Sequence, residues 1–383
     1  MTWINSFSDA GEKAIPEQLV RCRNPTESSP TASELGLQEP RDTGGPLVSI
    51  VIPTYRDSEY LPDALESVGE QTHQNLELIV VDSSDVDWVQ QVCSACEWSR
   101  YVPQPSRGVG AARNVGIARS NGKYIALLDA DDYWHPEKVE RQLGAMMPDA
   151  RASFTAHYFI KFWDKEEPIV SLQGRHLQDP ATAFRDVLHR RVIPHTSTLM
   201  FRKTAVPNRP FREDLQNFED IVFAVELFRS NPPAHLSAPL SVRRLREGSL
   251  AHRTGTDTKL KHRIAAYEQL AESYPELKPD ARRMQAEMAY RLGWHQLQQG
   301  DRRVARSWFH RSVRTAPSKV KSILLYSATI PPVDGETTAR LIERGYRLFS
   351  RSVPFVSSGN QRSDPEVSIV RSGDSAGHQH PSN

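Results

Sequence analysis

Short apolar runs alternate with helical patterns from residue 48 onward. Val48–Ile52 and Leu76–Val81 are rich in β-branched residues and end at Pro53 and Asp82 respectively, so both are predicted to be buried strands. Between them, apolar residues recur at helical spacing at Leu61, Leu65 and Val68. The order strand, helix, strand predicts a parallel pair of strands joined by a right-handed crossover.

A further helix and strand continue this pattern. The helix is predicted from near Val109 to Asn121, where Gly122 suits a C-terminal cap. The strand Tyr124–Leu128 is an apolar run that leads directly into acidic residues. Because the carboxyl ends of parallel strands share one edge of a sheet, we expect a ligand site at that edge. The strand-end residues expected there are Pro53, Asp82 and Asp129.

Three acidic residues follow the last of these strands: Asp129, Asp131 and Asp132. Crowded carboxylates repel one another unless a cation is bound, and oxygen donors favour a hard ion, so the pattern indicates Mg²⁺ or Mn²⁺ bridging to a substrate's phosphates. The alternative is that Asp131 or Asp132 only starts the next helix, with Pro136 in its first turn.

The segment Gly108–Arg113 is glycine-rich but lacks the third glycine of a dinucleotide fingerprint. Its glycines are better explained by close approach of the backbone to a ligand, with Arg113 directed at anionic oxygens. A solvated helix arginine is the alternative interpretation.

Composition indicates a globular protein of the cytosol. The chain has 383 residues, a formal net charge of +1 and 38% hydrophobic residues, and it contains neither a membrane-spanning apolar stretch nor a signal-peptide pattern. It has only three cysteines, as expected in a reducing compartment. Cys93 and Cys96 have C-x-x-C spacing, but no second ligand pair accompanies them, so helix packing is the favoured explanation.

The changes in pattern along the chain predict its division. Residues 1–45 and 356–383 are polar and rich in proline, serine or glycine, and we expect both to be disordered tails. Residues 46–254 are predicted to form an α/β domain, and residues 255–355 a helical region.

Four segments, in this order, resemble the family two glycosyltransferases: Val48–Tyr55, Leu76–Asp82, Arg107–Gly116 and Tyr124–Asp132. The resemblance implies a GT-A fold, which is Rossmann-like with a mostly parallel sheet and flanking helices. It also implies an inverting transfer from a nucleotide-sugar donor.

The resemblance further implies roles for individual residues. Pro53, Thr54, Tyr55 and Asp82 would hold the base and ribose, and Arg113 would contact the nucleotide. Asp129 and Asp131 would be the D-x-D pair on ribose and metal. Relatives also carry a loop that closes over the donor, which Arg246–Ser249 resembles, and the nearby His252 is a weaker candidate for a phosphate or metal contact, a surface histidine being the alternative.

An acidic pair in the segment Phe211–Phe223 resembles the family's catalytic pair. Asp220 falls at the general-base position, with Glu219 beside it. An inverting transfer to a hydroxyl needs one such carboxylate, because the nucleophile is the acceptor itself. The alternative is that both acids only stabilise a helix start through its dipole.

The predicted helical region contains apolar positions typical of one tetratricopeptide-like hairpin: Ala289, Leu292, Gly293, Ala305, Phe309 and Pro317, with Gly300 at the turn. A single hairpin is expected to pack on the catalytic domain. Residues 281–321 hold ten lysines or arginines and two acids, which gives a net charge of +8. Together with nearby aromatic residues this suits an anionic membrane surface, with a solvated helical face as the alternative. No motif supports nucleic-acid binding.

These observations predict a metal-dependent hexosyltransferase that moves a sugar, from a UDP-sugar in our interpretation, to a glycan or lipid-linked hydroxyl in surface polysaccharide or glycolipid synthesis. We expect it in the cytoplasm, with peripheral contact at the inner face of the membrane. Two alternatives remain: a catalytically inactive nucleotide-sugar or glycan-binding scaffold, and a sugar nucleotidyltransferase. The latter's glycine-rich basic loop is absent after the first strand.

Overall fold

The fold was obtained as a computed structural model of the 383-residue chain. The structure describes residues 31–37, 44–55, 60–84, 87–105, 108–146, 149–161, 169–173, 177, 179–208, 210–215, 217–245, 254–317 and 320–328.

The described residues form a nine-stranded mixed sheet at the centre of the fold. Its strands are β1 (Val48–Thr54), β2 (Leu76–Asp82), β3 (Ser99–Pro103), β4 (Tyr124–Leu127), β5 (Tyr133–Trp134), β6 (Ala152–Lys161), β7 (Ile169–Gln173), β8 (Met200–Arg202) and β9 (Ala234–Leu245). The strand order is β3-β2-β1-β4-β8-β6-β9-β5, and β7 pairs with β6. Strands β1 to β4 run parallel, whereas β8 is antiparallel to both of its neighbours, β4 and β6.

Helices flank the sheet and continue beyond it. They are α1 (Leu61–Gly69), α2 (Asp87–Ser94), α3 (Val109–Arg119), α4 (Lys138–Met146), α5 (Ala183–Leu188), α6 (Glu219–Ser230), α7 (Thr256–Ser273), α8 (Lys278–Gln298), α9 (Arg302–Thr315) and α10 (Val320–Ala328). The predicted α/β fold with a C-terminal helical region is therefore confirmed. In the described part of the chain, none of the helices has the length and apolarity that crossing a membrane requires.

The register of the parallel strands sets the position of the predicted ligand edge. Thr54 of β1 lies opposite Asp82 of β2, and Val51 of β1 lies opposite Leu127 of β4. The three strands thus end on the same side of the sheet, as expected. This edge carries Thr54, Asp82 and Asp129.

Two glycines allow close packing against β1. A Cβ on Gly116 of α3 would lie 2.2 Å from a methyl carbon of Val51, so only glycine lets the helix approach the strand this closely. A Cβ on Gly122 would lie 2.6 Å from the Ser49 hydroxyl oxygen. Gly122 was expected to cap α3, but the helix ends at Ser120 in an extended conformation, and Gly122 instead allows close approach to β1.

The C-terminal helices share a hydrophobic core with the sheet domain. Buried side chains of α6, among them Phe223 and Phe228, belong to the same apolar cluster as Tyr267 and Leu270 of α7 and Leu292 of α8. Burial of these large side chains stabilises both regions together. The sheet domain and the helices α7 and α8 are therefore joined by a continuous core.

Helices α8 and α9 form an antiparallel hairpin. Gly300, with a φ of +87°, lies in the turn between them. A Cβ on Gly293 would lie 2.8 Å from the Phe309 ring, so the two helices are in close contact at that point. Phe309 is buried against α10.

A short N-terminal segment differs from the sequence prediction. Residues 31–37 were expected to lie in a disordered tail, but Leu35 and Leu37 are fully buried against the core that contains α1. The Leu37 carbonyl also accepts a hydrogen bond from the Trp98 indole at 3.0 Å. The expectation of disorder rested on the polar composition of the whole segment. It was wrong for residues 31–37 because two leucines are enough to anchor this short stretch in the apolar core. The tail residues 1–30 and 356–383 lie outside the described residues.

Cys93 and Cys96 lie in the same core and are buried. Burial raises the pKa of the Cys93 thiol to about 12, opposed in part by a hydrogen bond with Ser99. Both cysteines are therefore packing residues in this fold, as the sequence interpretation favoured.

Candidate active site

The end of β2 holds a carboxylate in a fixed position. Asp82 is buried, and its Oδ1 accepts hydrogen bonds from the backbone N–H and the hydroxyl of Ser84 at 2.8 and 2.6 Å. Its Oδ2 accepts a hydrogen bond from the Tyr101 hydroxyl at 3.2 Å. In the neighbouring strand, Thr54 is buried and its hydroxyl has no hydrogen-bond partner within the described chain. An unsatisfied buried hydroxyl at a strand end is a site where a ligand can supply the missing partner.

Tyr55 and Pro53 complete this end of β1. Tyr55 is 44% exposed at the end of the strand, whereas Pro53 is buried within it. The predicted base and ribose contacts thus lie on the two neighbouring strands β1 and β2, at the shared edge of the sheet.

Arg113 connects two acidic groups that are far apart in the sequence. From α3, its guanidinium donates to Asp129 Oδ1 at 2.7 Å and to Glu219 Oε1 at 3.0 Å. It also donates to the Thr196 hydroxyl at 3.3 Å and lies 5.2 Å from the centre of the Phe211 ring. Although burial opposes its charge, the two carboxylates raise the pKa of Arg113, so it remains a cation.

Glycine permits the start of the helix that carries Arg113. Gly108 precedes α3 with a φ of +91°, a conformation that other residues adopt only with strain. From the sequence, we explained the glycines here by close approach of the backbone to a ligand. The structure assigns the positive φ to Gly108, while Gly110 lies against Phe211 and Glu219.

Asp129 lies just beyond β4 and is held by hydrogen bonds with three residues. Besides Arg113, the Thr196 hydroxyl donates to its Oδ2 at 2.9 Å. The backbone N–H of Asp129 donates to the Ser197 hydroxyl at 3.1 Å. The strand-end acid is therefore fixed from the α3 side and from the segment that precedes β8.

Asp132 is the most deeply buried of the three acids. Its Oδ2 accepts a hydrogen bond from the Ser197 hydroxyl at 2.5 Å, and its Oδ1 accepts one from the Arg244 backbone N–H at 3.1 Å. Burial, followed by the nearby charges of Asp131 and Asp129, raises its pKa well above the ordinary value. Asp132 does not start a helix, because β5 follows it and α4 begins at Lys138.

A group of possible metal ligands forms at this position. One ligand atom from each of Asp129, Asp132 and His195 lies within 4.8 Å of the others. His195 is buried, and burial, together with Arg243, His157 and Arg113, lowers its pKa well below the ordinary value, so the imidazole is neutral. Two crowded carboxylates and a neutral imidazole suit a divalent cation such as Mn²⁺ or Mg²⁺.

Asp131 lies between the two acids of this group and is half-buried. Its backbone carbonyl accepts a hydrogen bond from Arg244 Nη1 at 3.4 Å. Arg244 also forms a buried ion pair with Asp63 of α1. The segment 129–132 is thus fastened to both α1 and β9.

The predicted acidic pair opens α6. Glu219 is buried, and burial together with Asp220 raises its pKa to about 7, although Arg113 opposes that rise. Asp220 is half-buried at the next position. Because Arg113 binds both Glu219 and Asp129, the acidic pair is joined directly to the strand-end acids.

Most of the predicted site residues are brought together. Asp129, Arg113 and Glu219 are in direct contact, and Asp82 lies two strands away from Asp129 at the same edge. His252 and the loop 246–249 lie outside the described residues.

Sequence analysis missed three contributors to the site. His195, Thr196 and Ser197 lie in a part of the chain where we predicted no site residues, yet each contacts Asp129 or Asp132. The sequence does contain one indication of them, the run of polar residues His195–Thr198 directly before the apolar strand β8. Polar residues next to a buried strand are candidates for contacts at the edge of the sheet.

Comparison with known sequences matches this part of the chain to one family. The sequence model described as Glycosyl transferase family 2 matches residues 49–206. A Rickettsia felis protein described as an uncharacterized glycosyltransferase is 29% identical over 205 residues, which cover 53% of this chain and 33% of that protein. TuaG of Bacillus subtilis, named as a candidate teichuronic acid biosynthesis glycosyltransferase, is 36% identical over 119 residues, which cover 29% of this chain and 47% of TuaG. The chain therefore spans less than half the length of both relatives.

Solved structures show the same fold. Residues 1–349 of S. aureus TarS, in a crystal structure with UDP-GlcNAc, match with a TM-score of 0.53 and 17% identity. The match covers 80% of this chain and 90% of that one, so the likeness includes helices beyond the family match. On the sequence match, the relatives and the fold, the chain carries a family 2 glycosyltransferase domain at residues 49–206.

Proposed function

We propose that this protein is an inverting glycosyltransferase that moves a sugar from a nucleotide-sugar to a hydroxyl of a glycan or a lipid-linked acceptor. The observation that carries the proposal is that Arg113 forms two ion pairs. They join the strand-end acid Asp129 to Glu219, and hence to the adjacent Asp220. A donor site and a candidate base are thus parts of one charged network.

The donor is proposed to bind along the edge formed by β1, β2 and β4. Thr54, Tyr55 and Asp82 would bind the base and ribose, and Asp129 would lie near the ribose and diphosphate. The unsatisfied Thr54 hydroxyl supports this placement. A uridine donor is our choice because S. aureus TarS, which shares the fold, was solved with UDP-GlcNAc and with UDP.

A divalent cation is proposed for the acidic segment. Asp129, Asp131 and Asp132 crowd together, and the raised pKa of Asp132 reflects first its burial and then the charges of the other two. His195 provides a neutral nitrogen donor. Asp131 and Asp129 remain our proposed ligands, with Asp132 and His195 as further candidates. When bound, the cation would neutralise charge on the departing diphosphate.

Asp220 is proposed as the general base. Its carboxylate would take the proton from the acceptor hydroxyl as the hydroxyl oxygen attacks the anomeric carbon and the bond to the diphosphate breaks. Glu219 would not compete for this role, because it is buried and hydrogen-bonded to Arg113. Its contribution would be to position Arg113 and the start of α6.

A screen of nucleotides tests the donor proposal. The thermal unfolding midpoint is measured with UDP, other nucleoside diphosphates and UDP-sugars, each with and without Mn²⁺ or Mg²⁺. We expect stabilisation by UDP only with metal, and its loss in Asp131→Ala. Absence of a response to every nucleoside diphosphate would refute nucleotide-sugar binding, and a response without metal would refute the cation.

Asp220→Asn tests catalysis separately from binding. We expect transfer to fall by about 10²–10⁴-fold, the range typical of general-base removal, while UDP binding stays unchanged. Transfer is measured as UDP release in the presence of an acceptor mixture. Full turnover in this variant would remove Asp220 from the base role. If the wild type binds UDP but releases no UDP from a UDP-sugar with any acceptor, the inactive-scaffold alternative is supported instead.

Membrane contact is proposed for the C-terminal hairpin. Val304 of α9 is exposed beside Arg302 and Arg303, and Ile323 and Leu324 of α10 are also exposed. Basic and apolar side chains together favour anionic lipid surfaces. Co-sedimentation with phosphatidylglycerol vesicles and with phosphatidylcholine vesicles is the test, and equal recovery with both lipids would refute a charge-dependent contact.

A further inference from the structure

Three separate elements bring arginines to the start of α6. Arg190 follows α5, Arg263 lies on α7 and Arg291 lies on α8. The guanidinium carbons of Arg190 and Arg263 lie 5.7 and 5.5 Å from the centre of the same ring, that of Phe218. Phe218 directly precedes Glu219 and Asp220, so this arginine cluster borders the proposed base.

Within the described part of the chain, the two arginines on Phe218 form no direct ion pair with a carboxylate. Arg190 and Arg263 are half-buried, and neither forms an ion pair within 4.0 Å with any acid in the described ranges. Arginines elsewhere on α6 and α9 are paired, namely Arg229 with Glu276 and Arg311 with Glu268. Half-buried cations that have lost water without forming a direct ion pair are costly to retain for stability alone.

Backbone conformation points to the same place. Of the non-glycine residues that the structure describes, two have a positive φ: Arg190 at +59° and Phe218 at +80°. They contact each other in this cluster. Such conformations are costly and are found preferentially where a side chain must be held for function.

The charges around the cluster are predominantly positive. Burial and the neighbouring Arg190 and Arg291 lower the pKa of Arg263 to about 10, while Tyr267 and Asp220 oppose that shift. Lys259, one turn earlier on α7, has a pKa lowered by burial and by Arg263. Arg291 is exposed and hydrogen-bonded to Glu287 at 2.9 Å. The position therefore attracts an anion from solvent.

We propose that Arg190 and Arg263 bind a phosphate group of the acceptor, placing the attacking hydroxyl near Asp220. Two guanidinium groups match the oxygens of a phosphate, and the half-buried position strengthens the interaction. This inference rests on the proposed transferase function, and it names the acceptor class as phosphate-bearing. Arg263 and Arg291 lie beyond the residues that match the family model, so the helical region would supply acceptor specificity.

Inorganic phosphate is the probe, because it needs neither donor nor acceptor. The unfolding midpoint of the full chain is measured against phosphate concentration at constant ionic strength, with and without saturating UDP and Mn²⁺. We expect phosphate to raise the midpoint in both conditions. We also expect Arg190→Gln and Arg263→Gln to weaken phosphate binding at least about five-fold, and Arg263→Lys to retain more of it than Arg263→Gln.

Arg283→Gln is the matched control, since Arg283 is an exposed arginine on α8, about two helical turns before Arg291. It should bind phosphate as the wild type does. Equal binding in the Arg190 and Arg263 variants, or no response of the wild type, would overturn the proposal. Malonate, a dicarboxylate, is titrated in the same way. If it binds through Arg190 and Arg263 whereas phosphate does not, the assignment of the site to phosphate is wrong.

The UDP arm separates acceptor from donor. If UDP prevents phosphate binding, or if Arg190→Gln and Arg263→Gln weaken UDP binding, the cluster holds the donor diphosphate and the acceptor assignment is wrong. If UDP does not bind the wild type at all, the donor proposal fails, while the phosphate titration without UDP still reports on the cluster.

Discussion

Arg113 has two carboxylate partners and is almost fully buried, so its substitution should destabilise the protein. Arg113→Gln leaves Asp129 and Glu219 without their cation in a poorly solvated position. Breaking a buried pair in this way costs about 3–5 kcal/mol, and we expect that loss in the free energy of unfolding measured by urea titration at pH 7.

Arg119→Gln is the control for this change, because Arg119 is an exposed arginine on the same helix. Its cost should stay within about 0.5 kcal/mol, as for most surface substitutions. Similar values for the two variants would show that the ion pairs of Arg113 contribute little to stability.

Glu219 should give the stability of the protein a measurable pH dependence. Its pKa is raised from 4.5 to about 7 by burial and by Asp220, so the folded state holds a proton that the unfolded state has released. Its contribution to stability is therefore present below about pH 4.5 and is lost as the pH rises through about 7.

The measurement compares the free energy of unfolding of the wild type and Glu219→Gln between pH 4.5 and pH 8. The difference should shift in favour of the glutamine variant as the pH rises, since glutamine does not ionise. Asp132 titrates in both proteins and cancels from the comparison. A difference that does not vary with pH would mean that Glu219 has an ordinary pKa.

At the residue scale, sequence patterns found the acids and Arg113 but not their partners. Asp129, Glu219 and Arg113 were each identified from local motifs. The contacts among them depend on how α3, β4 and α6 converge, which no local pattern reports. Thr196 and Ser197 were missed for the same reason. The local sequence around a loop serine or threonine does not show whether its hydroxyl contacts a buried carboxylate.

At the scale of single elements, the packing of α3 on β1 can be tested with matched glycine substitutions. Gly116→Ala puts a Cβ 2.2 Å from a Val51 methyl carbon, which must displace the helix or the strand. We expect a loss of about 1–3 kcal/mol, typical of overpacking, in thermal or urea unfolding.

Gly144→Ala in α4 is the comparison, because a Cβ there meets no atom within 4 Å. It should stabilise the protein by about 0.5–1 kcal/mol, since alanine favours a helix. Adding Val51→Ala to Gly116→Ala should restore part of the lost stability, because it removes the methyl groups that the new Cβ meets. If it does not, contact with Val51 is not the cause of the loss.

The positions of β1, α1, β2, α3 and β4 followed from the pattern of apolar residues, whereas β3 and β5 to β9 were not predicted. The strands β1, β2 and β4 lie where short β-branched or apolar runs predicted them, because buried parallel strands need such runs. The role of Gly122 was wrong, since a glycine after a helix looks the same whether it caps that helix or allows close approach of a neighbouring strand.

At the scale of the whole molecule, the shared core predicts that the helical region is needed for folding. A chain ending at residue 254 lacks Tyr267, Leu270 and Leu292, which pack in one cluster with α6. Exposing each large apolar side chain that they cover costs roughly 1.5–3 kcal/mol, which quickly exceeds a typical domain stability of about 5–15 kcal/mol. We expect the shortened chain to lose its cooperative unfolding transition, measured by near-ultraviolet circular dichroism during heating.

Deleting residues 356–383 is the control for this truncation. The segment is predicted from composition to be a disordered tail, so its removal should leave the unfolding midpoint unchanged. A cooperative transition in the chain ending at residue 254 would show instead that the sheet domain is stable by itself. The domain boundary near residue 254 stays a prediction until that measurement.

The sequence by itself determined the order of β1, α1, β2, α3 and β4, the acids at the strand ends and the acidic pair at the start of α6. It could do so because hydrophobic periodicity and strand-end chemistry are local properties. Only the tertiary structure decided that Arg113 joins Asp129 to Glu219, that His195 lies beside Asp132, and that Arg190 and Arg263 share Phe218. These contacts connect residues from different elements, and burial sets their energies, so they exist only once the helices have packed against the sheet.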